Sequence, residues 1–215
     1  MHQALVIGLG NFGYSLVSEL AAKGCEVIVI ESSQERAQQV RDIAQQVIVA
    51  DATNKEILQQ YAKDVECAIV CLGERVDSSL LVTHFMKEIG VKKIIAKATS
   101  RDHGAILKVV GANEIVFPES DAAKRLATSL VSPDILEFIK LSEDFDIVEI
   151  AVPDHFVNQS IRALQLRSRF GVEILAIKNA LTQDTHIMPH ADYQLKPDDI
   201  LIVIGKVDSL KKFSI

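Results

Sequence analysis

Cysteine is scarce in this chain: Cys25, Cys67 and Cys71 are an odd number, none belongs to a CxxC pair, and each lies in or beside an apolar run. That usage fits buried, reduced thiols in a cytosolic protein and argues against a disulfide framework or a thiolate metal site. No uninterrupted apolar run approaches the roughly 18 residues of a membrane helix, and Met1-His2-Gln3 leads straight into a strand-like run without the charged start of a secretory signal. A soluble, intracellular protein is expected. Positive charge is not in excess either: 23 Lys and Arg face 29 Asp and Glu, and the net charge of −6 divides equally between the chain up to Lys140 and the remainder. Neither part is a basic nucleic-acid module, so no nucleic-acid partner is expected. A G-x-S-x-G elbow, an HExxH helix and a Walker-type lysine are also missing. What is present is a 48% apolar share with 24% charged residues, which excludes disordered and low-complexity chains. At 215 residues the chain should form one large domain or two small ones.

The first part repeats one theme, a short run rich in Val and Ile followed by an amphipathic stretch. The runs are Ala4–Ile7, Val27–Ile30, Gln46–Ala50, Cys67–Leu72, Lys93–Lys97 and Glu114–Phe117. Most are apolar at consecutive positions, as strands covered on both faces of a parallel sheet should be. Between them, Phe12–Lys23, Gln34–Ile43, Lys55–Ala62, Asp77–Ile89 and Gly104–Val110 carry apolar residues every three or four positions. The alternation predicts a Rossmann-like, doubly wound α/β fold. After Pro118 the theme stops: Asp121–Val131 reads as a helix, and Asp134–Leu141, beyond Pro133, as a second short one. Alternating Ile147–Val152, a short helix near Ser160–Leu164, Glu173–Lys178, a segment around His186–Met188 and Ile200–Gly205 then read as a small α+β module. Its turns are marked by Asn179 and by Pro197-Asp198-Asp199. The expected domains are 1–134 and 135–215.

Gly8-Leu9-Gly10-Asn11-Phe12-Gly13 is a G-x-G-x-x-G between a strand and a helix. Gly8 permits the tight turn, Gly10 lets the backbone approach a pyrophosphate, and Gly13 lets the helix pack close, while the N–H groups at the helix start attract phosphates. Glu31 ends the second strand 18 residues beyond Gly13 and, with Ser32 beside it, is placed to accept hydrogen bonds from the ribose hydroxyls. A 2′-phosphate would be repelled there, so ADP, ATP or NAD(H) is expected rather than NADP. Further strand ends face the same crevice: Asp51-Ala52-Thr53, Leu72-Gly73-Glu74 and Lys97. Asp51 is read either as an adenine contact or as a cap of the next helix, and Lys97 either as a phosphate partner or as an edge lysine. His186 and His190 would share one face of a strand, and read as surface histidines rather than metal ligands. No catalytic acid or base stands out, so no catalytic residue is assigned.

Taken together, these motifs resemble the TrkA/KtrA-type regulatory subunits of bacterial potassium uptake systems, which are built from RCK domains. The residues that carry the resemblance are the glycine motif, Ala50-Asp51-Ala52-Thr53, Ile95-Ala96-Lys97-Ala98, Val110 through Glu119, Leu164-Gln165-Leu166-Arg167 with Gly171-Val172, and the closing Asp199 through Gly205. The resemblance implies a nucleotide-binding gating subunit, not an enzyme. It would be cytoplasmic, pairing into homodimers and a ring of eight copies at the inner face of the membrane, beneath a TrkH/KtrB-like potassium-translocating subunit. It further implies that Glu119 lies near the dimer seam, where Mg, Ca or Na can bridge carboxylates and phosphates; the other reading of Glu119 is a charge stabilised by the helix dipole. Asn11 stands where the Ktr branch carries an arginine that reaches the terminal phosphate. That removes a permanent cation. Ile161, Arg162, Arg167 and Pro189 fall where some relatives bind cyclic di-AMP, although Arg162 and Gln165 depart from their pattern; Arg162, Arg167 and Arg169 read either as a phosphate-binding cluster or, the favoured reading, as a solvated helix end. The rival expectation is a small NAD-dependent oxidoreductase, which Gly8, Gly10, Gly13 and Glu31 would serve equally well.

Overall fold

The computed structural model describes residues 2–73, 75–131, 135–142 and 144–213. The chain divides into two compact units, Met1–Ser120 and Asp121–Ile215. The boundary expected at residue 134 falls outside the described residues.

The first unit runs β1 (Gln3–Ile7), α1 (Asn11–Ala22), β2 (Glu26–Glu31), α2 (Gln34–Gln38), β3 (Gln46–Val49), α3 (Lys55–Ala62), β4 (Cys67–Val70), α4 (Val76–Ile89), β5 (Lys93–Lys97), α5 (Arg101–Val110) and β6 (Glu114–Val116). All pairs are parallel, in the order β3-β2-β1-β4-β5-β6. Side chains alternate across a strand, so β1 sends Leu5 and Ile7 into one core with Leu58, Met86 and Leu107, and Ala4 and Val6 into the other with Val17, Val29 and Val40. Burial on both faces explains the consecutive apolar runs. The strand order reverses between β1 and β4, which leaves a crevice beyond the C-terminal ends of those strands. α2 is shorter than expected. It stops at Gln38, and turns that bury Val40 then bring the Gln45 N–H to the Val27 carbonyl at 2.9 Å to start β3.

α6 (Pro118–Val131) begins three residues earlier than expected, with proline in its first turn, where the missing N–H costs nothing. There follow β7 (Ile135–Lys140), β8 (Phe145–Ala151), α7 (Ile161–Leu164), α8 (Leu166–Phe170), β9 (Val172–Asn179), β10 (Thr185–Ile187), β11 (Asp199–Lys206) and α9 (Val207–Phe213). The strands form one antiparallel sheet ordered β10-β9-β11-β8-β7. The second helix expected at Asp134–Leu141 is a strand instead. Its β-branched and aromatic residues suit a pleated ladder, and that ladder pairs Phe138 with Val148 and Ile139 with Ile147. α9 was not anticipated; it brings Phe213 against Phe156 and Phe170, with ring centroids 5.5 and 5.7 Å apart. A doubly wound parallel sheet followed by a small α+β unit is the architecture the sequence pattern predicts.

Candidate functional site

The crevice of the first unit holds a cavity of about 740 Å³, large enough for a dinucleotide. Three glycines shape it for different reasons. Gly8 has φ +94°, and a Cβ there would meet Leu72 Cδ2 at 2.8 Å. A Cβ on buried Gly13 would collide with the Gly8 carbonyl oxygen, so α1 lies against the loop only because this residue is glycine. Gly10 is another matter: its backbone, φ −68° and ψ −179°, suits any residue, and a Cβ would meet nothing within 4 Å. The space it leaves opens on the cavity. Gly10 caps α1 without a side chain and the first turn carries no acidic residue, so the helix start keeps open N–H donors and its positive dipole end.

Glu31, at the end of β2, is only 5% exposed. Its Oε2 accepts the Leu9 N–H at 2.6 Å, and its Oε1 accepts the Ser33 N–H at 2.8 Å and the Ser32 hydroxyl at 3.3 Å. The carboxylate therefore fastens the glycine loop to the second strand. Each oxygen has two lone pairs; both on Oε1 and one on Oε2 are taken, so one acceptor position remains, on Oε2, for a ribose hydroxyl.

Lys97, at the end of β5, has a side chain 13% exposed, and its Nζ lies 2.5 Å from Oε1 of Glu119, whose side chain is 67% exposed. Lys97 holds the Glu119 carboxyl below the usual range, helped by a backbone hydrogen bond at the helix start. A Cβ on Gly73 would meet the Lys97 Cδ and Cε at 3.3 Å, so that glycine makes room for the lysine stem.

Of the residues expected to bind a nucleotide, Gly8, Gly10, Asn11, Glu31, Ser32, Leu72, Gly73 and Lys97 line the cavity together, joined by Glu119. Phe12 and Gly13 lie behind the wall, Phe12 packed against the core. Asp51, Ala52 and Thr53 do not line it. Asp51 Oδ1 accepts the Thr53 N–H and hydroxyl, both at 2.9 Å, and these bonds, with the nearby charge of Arg75, hold its carboxyl below the ordinary value. Asn54 caps α3, and Ala52 is core. Glu74 lies outside the described residues. The sequence reading missed Tyr14 and Ser15, one turn along α1 from Asn11, as well as Arg36, Cys71 and Arg75. Arg75 had a signal, since it follows Gly73 by two residues at a strand end.

Among the described residues no histidine lines the cavity, and burial pushes the Cys71 thiol up to about 12. No described group of three His, Cys, Asp or Glu residues is placed to hold a metal. Glu119, expected near a bridging cation at a dimer seam, is paired within this chain with the Lys97 ammonium. His190 lies beyond β10 and pairs with Asp192, Nδ1 to Oδ2 at 3.4 Å, rather than sharing a strand face with His186.

In the second unit, a cavity of about 460 Å³ brings together Ile161, Arg162, Gln165, Arg167 and Pro189. Arg162 Nε lies 2.8 Å from Asp192 and Arg167 Nε 2.6 Å from Glu173. Arg169 is not part of this group: it turns over the Phe170 ring, 5.2 Å from the centroid, and donates to the Leu164 carbonyl. Among the described residues no helix is long and apolar enough to cross a membrane.

The TrkA-N domain model matches residues 4–118 and the TrkA-C domain model residues 147–214. The Ktr system potassium uptake protein C of Bacillus subtilis (strain 168) is 34% identical over 209 residues, which cover 97% of this chain and 94% of the relative. The RCK domain of GsuK matches with a TM-score of 0.65 at 18% identity, covering 99% of this chain and 46% of that one. The GsuK channel bound to NAD matches with a TM-score of 0.63 at 18% identity, covering 97% and 38%. This chain thus spans less than half the length of either structure, and at that identity the likeness is one of fold.

Proposed function

The chain belongs to the family defined by the TrkA-N and TrkA-C domains, and from that premise we propose that it is a nucleotide-responsive regulatory subunit of a potassium uptake system. The observation that carries this reading is Gly10. The folded chain has no steric use for a glycine there, yet the absent Cβ leaves room beside open helix-start donors, where a pyrophosphate would approach. Glu31 would take the ribose, the α1 start the phosphates, and Lys97 and Arg75 would supply positive charge that Asn11 does not. Binding without turnover is supported by a lining with no described histidine and a Cys71 thiol far from its ionised form.

In the arrangement that the family resemblance implies, the protein would sit in the cytoplasm as homodimers within a ring, against a membrane subunit that conducts potassium. A ligand shifts such an assembly only by its differential affinity for two shapes. Moving a gate from mostly shut to mostly open takes about 5.5 kcal/mol, which several sites coupled by about 1 kcal/mol each would supply. The second cavity would take a separate phosphate-bearing ligand of the cyclic di-AMP type, bound by Arg162 and Arg167 once their carboxylate partners yield.

Thermal unfolding with ATP, ADP, AMP, NAD, NADH, NADPH and cyclic di-AMP, each added alone, tests the reading. A true ligand at a hundredfold over Kd adds about 2.7 kcal/mol, raising Tm by roughly 5–10 °C. Protection by none of them refutes nucleotide sensing, and greater protection by NADPH than by NADH refutes the role of Glu31.

A further inference from the structure

Within the nucleotide cavity, the ion pair between Lys97 and Glu119 has unequal ends. The lysine is fixed: its side chain is 13% exposed, and its stem fills the space that Gly73 leaves beside β4. The glutamate is the solvent-facing end, with a side chain 67% exposed on the first turn of α6. Both line the cavity into which Gly8, Gly10 and the start of α1 would draw phosphates. An ammonium has three donors, yet a carboxylate and a phosphate cannot share it closely without repulsion.

We propose that Glu119 is a specificity-determining residue that occupies the phosphate position in advance, competing with the phosphates of a bound nucleotide for Lys97 and leaving it when they arrive. The proposal rests on the nucleotide reading above and assigns Glu119 a part opposite to that of a cation ligand. Competition selects against phosphate charge and leaves the nucleoside alone. A carboxylate that bridged to phosphate through a cation would instead strengthen phosphate binding whenever that cation is present.

The test is calorimetric titration of the full chain with adenosine and with ADP, in EDTA and again in magnesium, using wild type, Glu119→Gln, Lys97→Met and the double variant. Glu119→Gln should tighten ADP by about two- to fivefold, the scale of a surface ion pair, with adenosine unchanged. Lys97→Met should weaken ADP by about tenfold or more, and in that background Glu119→Gln should have no further effect. Unchanged adenosine affinity in every variant shows that the fold is intact. Should wild type bind ADP while Glu119→Gln leaves it unchanged or weakens it, in either buffer, the competition is overturned and the nucleotide reading stands; should wild type bind neither ligand, both fall.

Discussion

Replacing Gly10 by alanine adds one methyl group at a point where the folded chain has nothing within 4 Å to meet it. The backbone angles there are open to alanine. Restricting the unfolded chain stabilises by about 0.4–1 kcal/mol, and a poorer helix cap costs a similar amount. The two effects nearly cancel, so Tm should stay within roughly 3 °C of wild type. A phosphate drawn to the start of α1 would meet the new methyl, and loss of a single charge-assisted hydrogen bond, about 1.5–3 kcal/mol, weakens binding by about tenfold or more. Gly13→Ala is the contrasting case: its methyl would press on the Gly8 carbonyl oxygen, which is backbone and has nowhere to go, so this variant should fold poorly with or without ligand. Circular dichroism melts and ADP titrations of the two variants settle the matter. If Gly10→Ala binds ADP like wild type at an unchanged Tm, the loop does not hold phosphates. If it melts far below wild type, the fold itself requires that glycine and the inference drawn from its empty surroundings fails.

Glu31→Gln keeps the side chain's shape but turns one acceptor into a donor, leaving the buried N–H of Leu9 or Ser33 without a partner. That should cost about 1–3 kcal/mol and lower the ligand-free Tm by roughly 3–10 °C; an unaltered melt would mean the loop is not fastened there. Thr53→Ala removes one of the bonds that depress the Asp51 carboxyl. A depressed carboxyl stabilises above its unfolded value and loses that contribution as pH falls through the folded one. The variant should therefore be less stable than wild type at neutral pH, with the gap closing below the ordinary aspartate value of 3.8, as urea midpoints across pH would reveal; a gap that persists in acid contradicts this. Cys71, though it lines the cavity, should resist iodoacetamide at pH 8, because only about one thiol in ten thousand is ionised when the value lies near 12. Peptide mapping should find it labelled only in urea, and early labelling would contradict its burial.

The glycine loop and Glu31 were legible because their causes are local: a positive φ, a close helix approach and a strand end of fixed spacing. The grip of Glu31 on the Leu9 amide is a tertiary fact with no trace in the spacing. The strand-end rule over-reached at Asp51, whose carboxylate turns back on Thr53, two residues away. It under-reached at Arg36, which belongs to no motif and enters the wall only because α2 starts beside the cavity. Ile135, Leu136, Phe138 and Ile139 supply apolar residues to any face, so periodicity alone could not tell helix from strand; partnership with β8 decided it. Arg169 looked like a third member of an arginine group, but aromatic stacking drew it away.

On the proposed reading, Glu31 ties two selective demands to one side chain. Because the loop is anchored before any guest arrives, little ordering entropy is left for the binding event, and the recess is ready-made. The same economy restricts how the protein can diverge. A lineage drifting toward cofactors with a phosphorylated ribose would have to discard this carboxylate, and with it the tether of its own loop, so a change of taste would first demand a second mutation that secures Leu9 by other means.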